Sequence, residues 1–203
     1  MSDRFADLKK IPKEPAARIL ARVHVKLATP VAAPVSAPVE VVLAELAGKA
    51  AWIDVLKLLA IALPAREAVW WACIAARDVV GNGEKNTTPC LKASEAWVFE
   101  PTEANREAAR VSLDNVYIDD DTELCATATM YAPGNMGPGD LADYPAPAGA
   151  VSSCAFGMNM VSLSAAPDFD AHLQLLIDRA LDIARGGNGQ IDPAEAAKET
   201  GEA

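Results

Sequence analysis

Aromatic side chains are scarce in this 203-residue chain, only 5% of its residues, and clustered positive charge is missing. Lys9, Lys10 and Lys13 form its densest basic group, flanked by Asp7 and Glu14, against a formal net charge of -10. A phosphate-binding face needs clustered Lys and Arg, so no nucleic-acid partner is expected. Long hydrophobic runs are missing too. The most apolar stretch, Val55 to Leu63, contains Lys57 and falls far short of the ~20 residues that span a bilayer. Membrane insertion is therefore not expected. Met1 to Lys13 has no hydrophobic run and does not read as a signal peptide. The four cysteines (Cys73, Cys90, Cys125, Cys154) form no CxxC. They read as reduced, buried thiols of a cytoplasmic protein.

What the chain does have is alanine, which dominates an apolar fraction of 51%. Alanine is the best helix former and lets helices approach closely, so helix packing is favoured over sheet. The periodicity predicts helices over Pro15 to Ala28, Val39 to Ala47 with Gly48 as its cap, Ala50 to Leu63, and Ala65 to Val80. Further helices are predicted over Lys92 to Glu100, Thr102 to Leu113, Thr122 to Ala132 with Asp121 as its cap, Ala150 to Ala165, and Asp168 to Arg185. The last has the clearest apolar stripe, formed by Phe169, Leu173, Leu176, Ile177, Ala180 and Ala184. Between the first two helices, prolines at 30, 34 and 38 forbid a helix and predict an extended connector along the body of the protein. A Gly/Pro-rich loop over 133–149 is long enough to be either functional or mobile. The expected architecture is all-α, an irregular bundle of about eight or nine helices in antiparallel pairs. The leader, 1–14, is expected to be loose, a single helical domain to occupy 15–186, and the polar tail, 187–203, to be disordered.

Chemical motifs mostly fail on inspection. Asp119-Asp120-Asp121 with Glu123 resembles a calcium loop, but Leu124 and Met130 stand where its glycine and final carboxylate belong. Gly81-Asn82-Gly83 follows a helix and lacks the third glycine of a dinucleotide loop. Gly48-Lys49 lacks the rest of a phosphate loop, and Ser152-Ser153 has no GxSxG context. His24 and His172 have no ligand or nucleophile at useful spacing. No catalytic residue, metal site or cofactor is expected.

The segment with character is Ala65 to Val80, AREAVWWACIAARDVV. At about 100° per residue, its alanines with Val69 and Val79 form one small-residue face, and Trp70, Ile74 and Trp71 oppose it. Arg66 and Arg77 flank one edge, and Glu67 and Asp78 the other. A helix apolar on two sides is ordinarily a buried central helix. Two indoles ringed by charges also fit a partner-binding surface, since Trp and Arg anchor interfaces.

The run Ala62 to Arg77, ALPAREAVWWACIAAR, and the closing Leu181-Asp182-Ile183-Ala184-Arg185-Gly186 resemble an uncharacterised, all-helical bacterial family of unknown function. The resemblance spans most of the chain. It implies a small cytosolic accessory protein, some of whose relatives are found alongside type VI secretion components, and it supplies no catalytic motif. The expected function is therefore a non-enzymatic adaptor that binds another protein, with Arg66, Trp70, Trp71, Ile74 and Arg77 as interface candidates. The alternative is a helical enzyme or small-ligand binder with Arg66, Glu67, Arg77 and Asp78 around the indoles and the 133–149 loop as a lid. Self-association through a helical face is a third reading.

Overall fold

A computed structural model describes residues 3–114, 116 and 120–191. Nine α-helices and no strand are present among them, so the all-α expectation holds. The part of the expected disordered tail beyond residue 191 lies outside the described residues. Two compact units are present: one takes the chain up to Pro64 and from Ala166 onward, the other takes Ala65–Ala165.

The first unit contains α1 (Ala16–Arg22), α2 (Val39–Gly48), α3 (Trp52–Ala62) and α9 (Phe169–Arg185). Asp168 caps α9, accepting from the Ala171 amide at 3.0 Å, and Gly186 ends it in the left-handed region at φ 110°. Leu173, Leu176, Ile177, Ala180 and Ala184 are buried as their spacing predicts. Phe169 does not join them and is 49% exposed. It occupies the first helical position, where a side chain points back past the helix start.

Residues 3–11, part of the expected loose leader, lie against α9. Phe5, Leu8 and Ile11 are buried at three-residue spacing. Arg4 pairs with Asp178 at 2.6 Å and donates to Gln174 at 2.8 Å, with its guanidinium 5.7 Å from the Trp52 ring centroid. The Lys10 amide donates to the Ala184 carbonyl at 2.8 Å.

Helix α1 stops at Arg22, short of the predicted Ala28, and His24 turns left-handed at φ 55°. Tertiary contacts then hold the chain that follows. Asp54 accepts from the amides of Ala28 (3.0 Å) and Thr29 (2.7 Å), and so holds them outside a helix. One turn later in the connector, the Glu45 oxygens accept from Ala32 (2.5 Å) and Ala33 (2.8 Å). Lys49 closes the clamp by donating to the Pro30 carbonyl at 2.7 Å and to Glu45 at 2.5 Å. The proline-rich connector thus lies along its unit, with α2 and α3 supplying acceptors for amides that no helix satisfies.

The Lys49 ammonium and the Ala32 and Ala33 amides hold the Glu45 carboxyl down to about 2. Burial of Asp54 would raise its carboxyl, but the Ala28 and Thr29 amides outweigh that and keep it below its ordinary value. Both folded values are depressed, so the clamp is complete above the ordinary carboxylate range. It is lost as pH falls through the depressed values, near 2 for Glu45. Amide exchange at residues 28, 29, 32 and 33, corrected for intrinsic rate, should show equal protection at about pH 5 and about pH 7. Protection lost within that interval would refute the clamp. Asp54→Ala should release Ala28 and Thr29 at neutral pH.

The second unit contains α4 (Ala65–Val80), α5 (Pro89–Phe99), α6 (Glu103–Leu113), α7 (Glu123–Tyr131) and α8 (Ala150–Ala165). Helices α4 and α8 are its most extensively packed pair. Ala68, Ala72, Ala75 and Ala76 are all buried, as a small-residue packing face requires. Ser162 on α8 donates to Asp78 on α4 at 3.2 Å. Helix α5 starts at Pro89, ahead of the predicted Lys92, because Thr88 caps it by accepting from the Leu91 amide at 3.2 Å. Asp121 is not the cap of α7. Asp120 instead accepts from the amide and hydroxyl of Thr122, the residue before the helix.

The 133–149 segment folds back on itself. Met136 donates to the Tyr144 carbonyl at 2.9 Å and Ala146 to the Gly134 carbonyl at 3.0 Å, around a short 3-10 turn at Gly139–Asp143. Such closure of the ends makes it an ordered Ω-loop.

Candidate functional site

Positions 66, 70, 73 and 77 of α4 share one face at about 100° per residue, and α5 packs beside α4. Arg66 sits at the end where α5 finishes. Its Nε donates to the Val98 carbonyl at 2.7 Å and its Nη2 to the Phe99 carbonyl at 3.4 Å, so a cation caps the negative end of a helix. At the other end Arg77 forks onto Glu95, at 2.7 and 2.5 Å, and donates to the Thr87 hydroxyl at 2.8 Å. Both arginines are therefore engaged in joining α4 to α5.

Between them the aromatic groups separate. Trp71 is fully buried and Ile74 is 7% exposed, so both belong to the core. Trp70 is half-buried and meets Phe99 edge-on, with centroids 5.8 Å apart and ring planes at 63°. Phe99 is 74% exposed. Of the five residues read from sequence, Arg66, Trp70 and Arg77 thus lie in one row facing α5, and Trp71 and Ile74 lie apart from it.

Phe99 is the residue that the sequence reading passed over. Cys90, Leu91, Ser94, Trp97 and Val98 form the buried stripe of α5. Helical periodicity puts position 99 well outside that stripe, so its exposure was legible. Its pairing with Trp70 was not, because that contact crosses between helices.

All four cysteines lie in this unit as free thiols, three buried and Cys154 partly so. Burial, with Cys125 beside it, raises the Cys73 thiol, and burial raises that of Cys90. Burial pushes the Cys154 thiol to about 11. These are thiols kept protonated, the opposite of an activated nucleophile. Both histidines lie in the first unit, so neither unit holds a Cys–His pair. Among the described residues, no group of three or more His, Cys, Asp or Glu side chains is poised to hold a metal ion. Asp119, from the calcium-like run, lies outside the described residues.

Open clefts lie among the described residues of the second unit. One of about 410 Å³ is bounded by Lys85, Thr88, Asp120 and Thr122, with the Thr88 and Thr122 hydroxyls 2.5 Å apart. Another, about 440 Å³, lies beside the Arg77–Glu95 pair. A third, about 660 Å³, lies between α6 and the Ω-loop. The Ω-loop therefore borders α6 there, and no α4 residue lines that cleft. Among the described residues, no helix is long and apolar enough to cross a membrane.

A family model matches residues 42–184, and the description it carries is that of a family of unknown function (DUF6931). No curated protein and no solved structure matches the chain.

Proposed function

This chain belongs to that family of unknown function, DUF6931, and we propose that it is a non-enzymatic adaptor that binds another protein through the Trp70–Phe99 edge of its second unit. One observation carries the reading: a phenyl ring that is 74% exposed yet held in place. Trp70 supports it edge-on, and Arg66 grips the carbonyls of Val98 and Phe99 beneath it. Rigid aromatics beside an arginine are the residue types that dominate interface energetics, and a pre-set ring loses little freedom on binding. The resemblance of the α4 segment to cytosolic accessory proteins supports a bacterial, cytoplasmic, secretion-related setting of the type VI kind.

Phe99→Glu tests the reading. Phe99 is exposed, so the substitution should cost little beyond its edge-to-face contact with Trp70, about 0.5–1.5 kcal/mol, and the chain should stay folded. Partner recovery by cross-linked affinity purification from the native cell should fall about tenfold or more, as for loss of an interface anchor. Unchanged recovery from a folded Phe99→Glu protein would remove the edge as the interface.

A further inference from the structure

The cleft between α6 and the Ω-loop has a chemical character of its own. Ala104 on one wall and Pro138 and Leu141 on the other make it apolar, and Leu141 is 41% exposed. Its lip is acidic. The Glu103 side chain is 69% exposed. Arg106, one turn along α6, reaches Glu103 with a single nitrogen at 3.5 Å. The rest of that guanidinium is committed to the Met130 carbonyl and to Asn135. Glu107 does not leave Arg110 free to compensate. It binds Arg110 at 2.8 to 3.1 Å, and Asp114 approaches the same guanidinium at 3.6 Å. Asp140 and Asp143 lie on the 3-10 turn that carries Leu141 but do not line the cleft.

The cleft is also preformed. Arg106 belongs to α6 and binds the end of α7 and the start of the Ω-loop, so one buried side chain sets the separation of both walls. A cleft whose walls are held in this way loses little freedom on binding.

We propose that this cleft seats a short basic, apolar segment of a partner protein, an apolar side chain between Ala104 and Leu141 with a Lys or Arg on Glu103. The inference rests on the adaptor reading and supplies the chemistry of the partner. Phe99 precedes Glu103 by only the Glu100-Pro101-Thr102 corner, so the aromatic edge and the cleft are neighbours along the chain. Acidic lip and basic segment are complementary, and such charges set partner choice and orientation.

The test is an NMR titration of the full-length ¹⁵N-labelled chain with three probes: a capped leucine/lysine nonapeptide, the matched leucine/glutamate nonapeptide, and spermine. The lysine peptide should give saturable shifts centred on residues 103–107 and 138–141. Glu103→Lys, at an exposed position, should weaken it about tenfold. Leu141→Ser should weaken it in a protein whose other resonances stay in place. The acidic peptide should give no saturable shifts there. The proposal is overturned if the lysine peptide does not saturate, if its shifts centre elsewhere, or if either control peptide or polyamine binds the same residues equally well. Should this fail while Phe99→Glu still abolishes partner recovery, the adaptor reading stands and the cleft is not its seat.

Discussion

Replacing Arg106 by methionine should destabilise the protein by about 3 kcal/mol or more and release the Ω-loop from the end of α7. The side chain is 1% exposed, yet its charge is met mainly by backbone carbonyls. Methionine fills much of the volume but donates nothing. The half-buried Met130 carbonyl and Asn135 side chain would then lose their donor, at about 1–3 kcal/mol for each acceptor shielded from water. Arg106→Lys keeps the charge and should recover only part of the loss. An ammonium cannot reproduce the planar fork that reaches Met130 and Asn135 together. Urea unfolding gives the global cost, and amide exchange at Met136 and Ala146, which close the loop, gives the local one. An unfolding midpoint within error of the native chain would show that the carbonyls find other donors and that Arg106 does not hold the loop. A large global loss without faster exchange at Met136 and Ala146 would separate stability from loop closure.

Arg106 also marks the limit of what the sequence could reveal. The extents of α4 and α8 match prediction because the Pro and Gly residues that flank them are local signals. On α4 the sequence reading groups Trp70 with Trp71 and Ile74, whereas in the fold Trp70 shares its row with Arg66 and Arg77 and the other two are buried. What escaped depends on contacts between distant positions. Residues 3–11 dock because Arg4 and Lys10 bond to α9 more than 160 positions away, with Phe5, Leu8 and Ile11 buried beside them. Helix α1 ends at Arg22, and Asp54, on α3, holds Ala28 and Thr29 in the connector, a contact between distant positions. An arginine in an otherwise polar stretch of α6 gives no sign that it will be buried on the carbonyls of another helix and loop. Phe99 lies between these cases: its exposure followed from spacing, and its aromatic partner did not.

Trp71→Ala should cost about 3–5 kcal/mol, whereas Trp70→Ala should cost about 1–2 kcal/mol, although the two residues are adjacent in sequence. Successive side chains on a helix diverge by about 100°. That divergence puts Trp71 in the core at no exposure and leaves Trp70 half-buried against the Phe99 ring. Truncating Trp71 opens a large cavity in close-packed surroundings, so an unfolding shift of that size is the expected readout in denaturant. Truncating Trp70 removes an edge-to-face contact, worth about 0.5–1.5 kcal/mol, and some surface packing. The contrast also decides how the adaptor reading can be tested. Lost binding by Trp71→Ala says nothing about an interface, because the core is disrupted with it. Trp70→Ala and Phe99→Ala leave a folded chain, so a binding defect in either reports on the surface itself. If Trp70→Ala proves as destabilising as Trp71→Ala, the aromatic edge is part of the core. The interface reading would then rest on Phe99 alone.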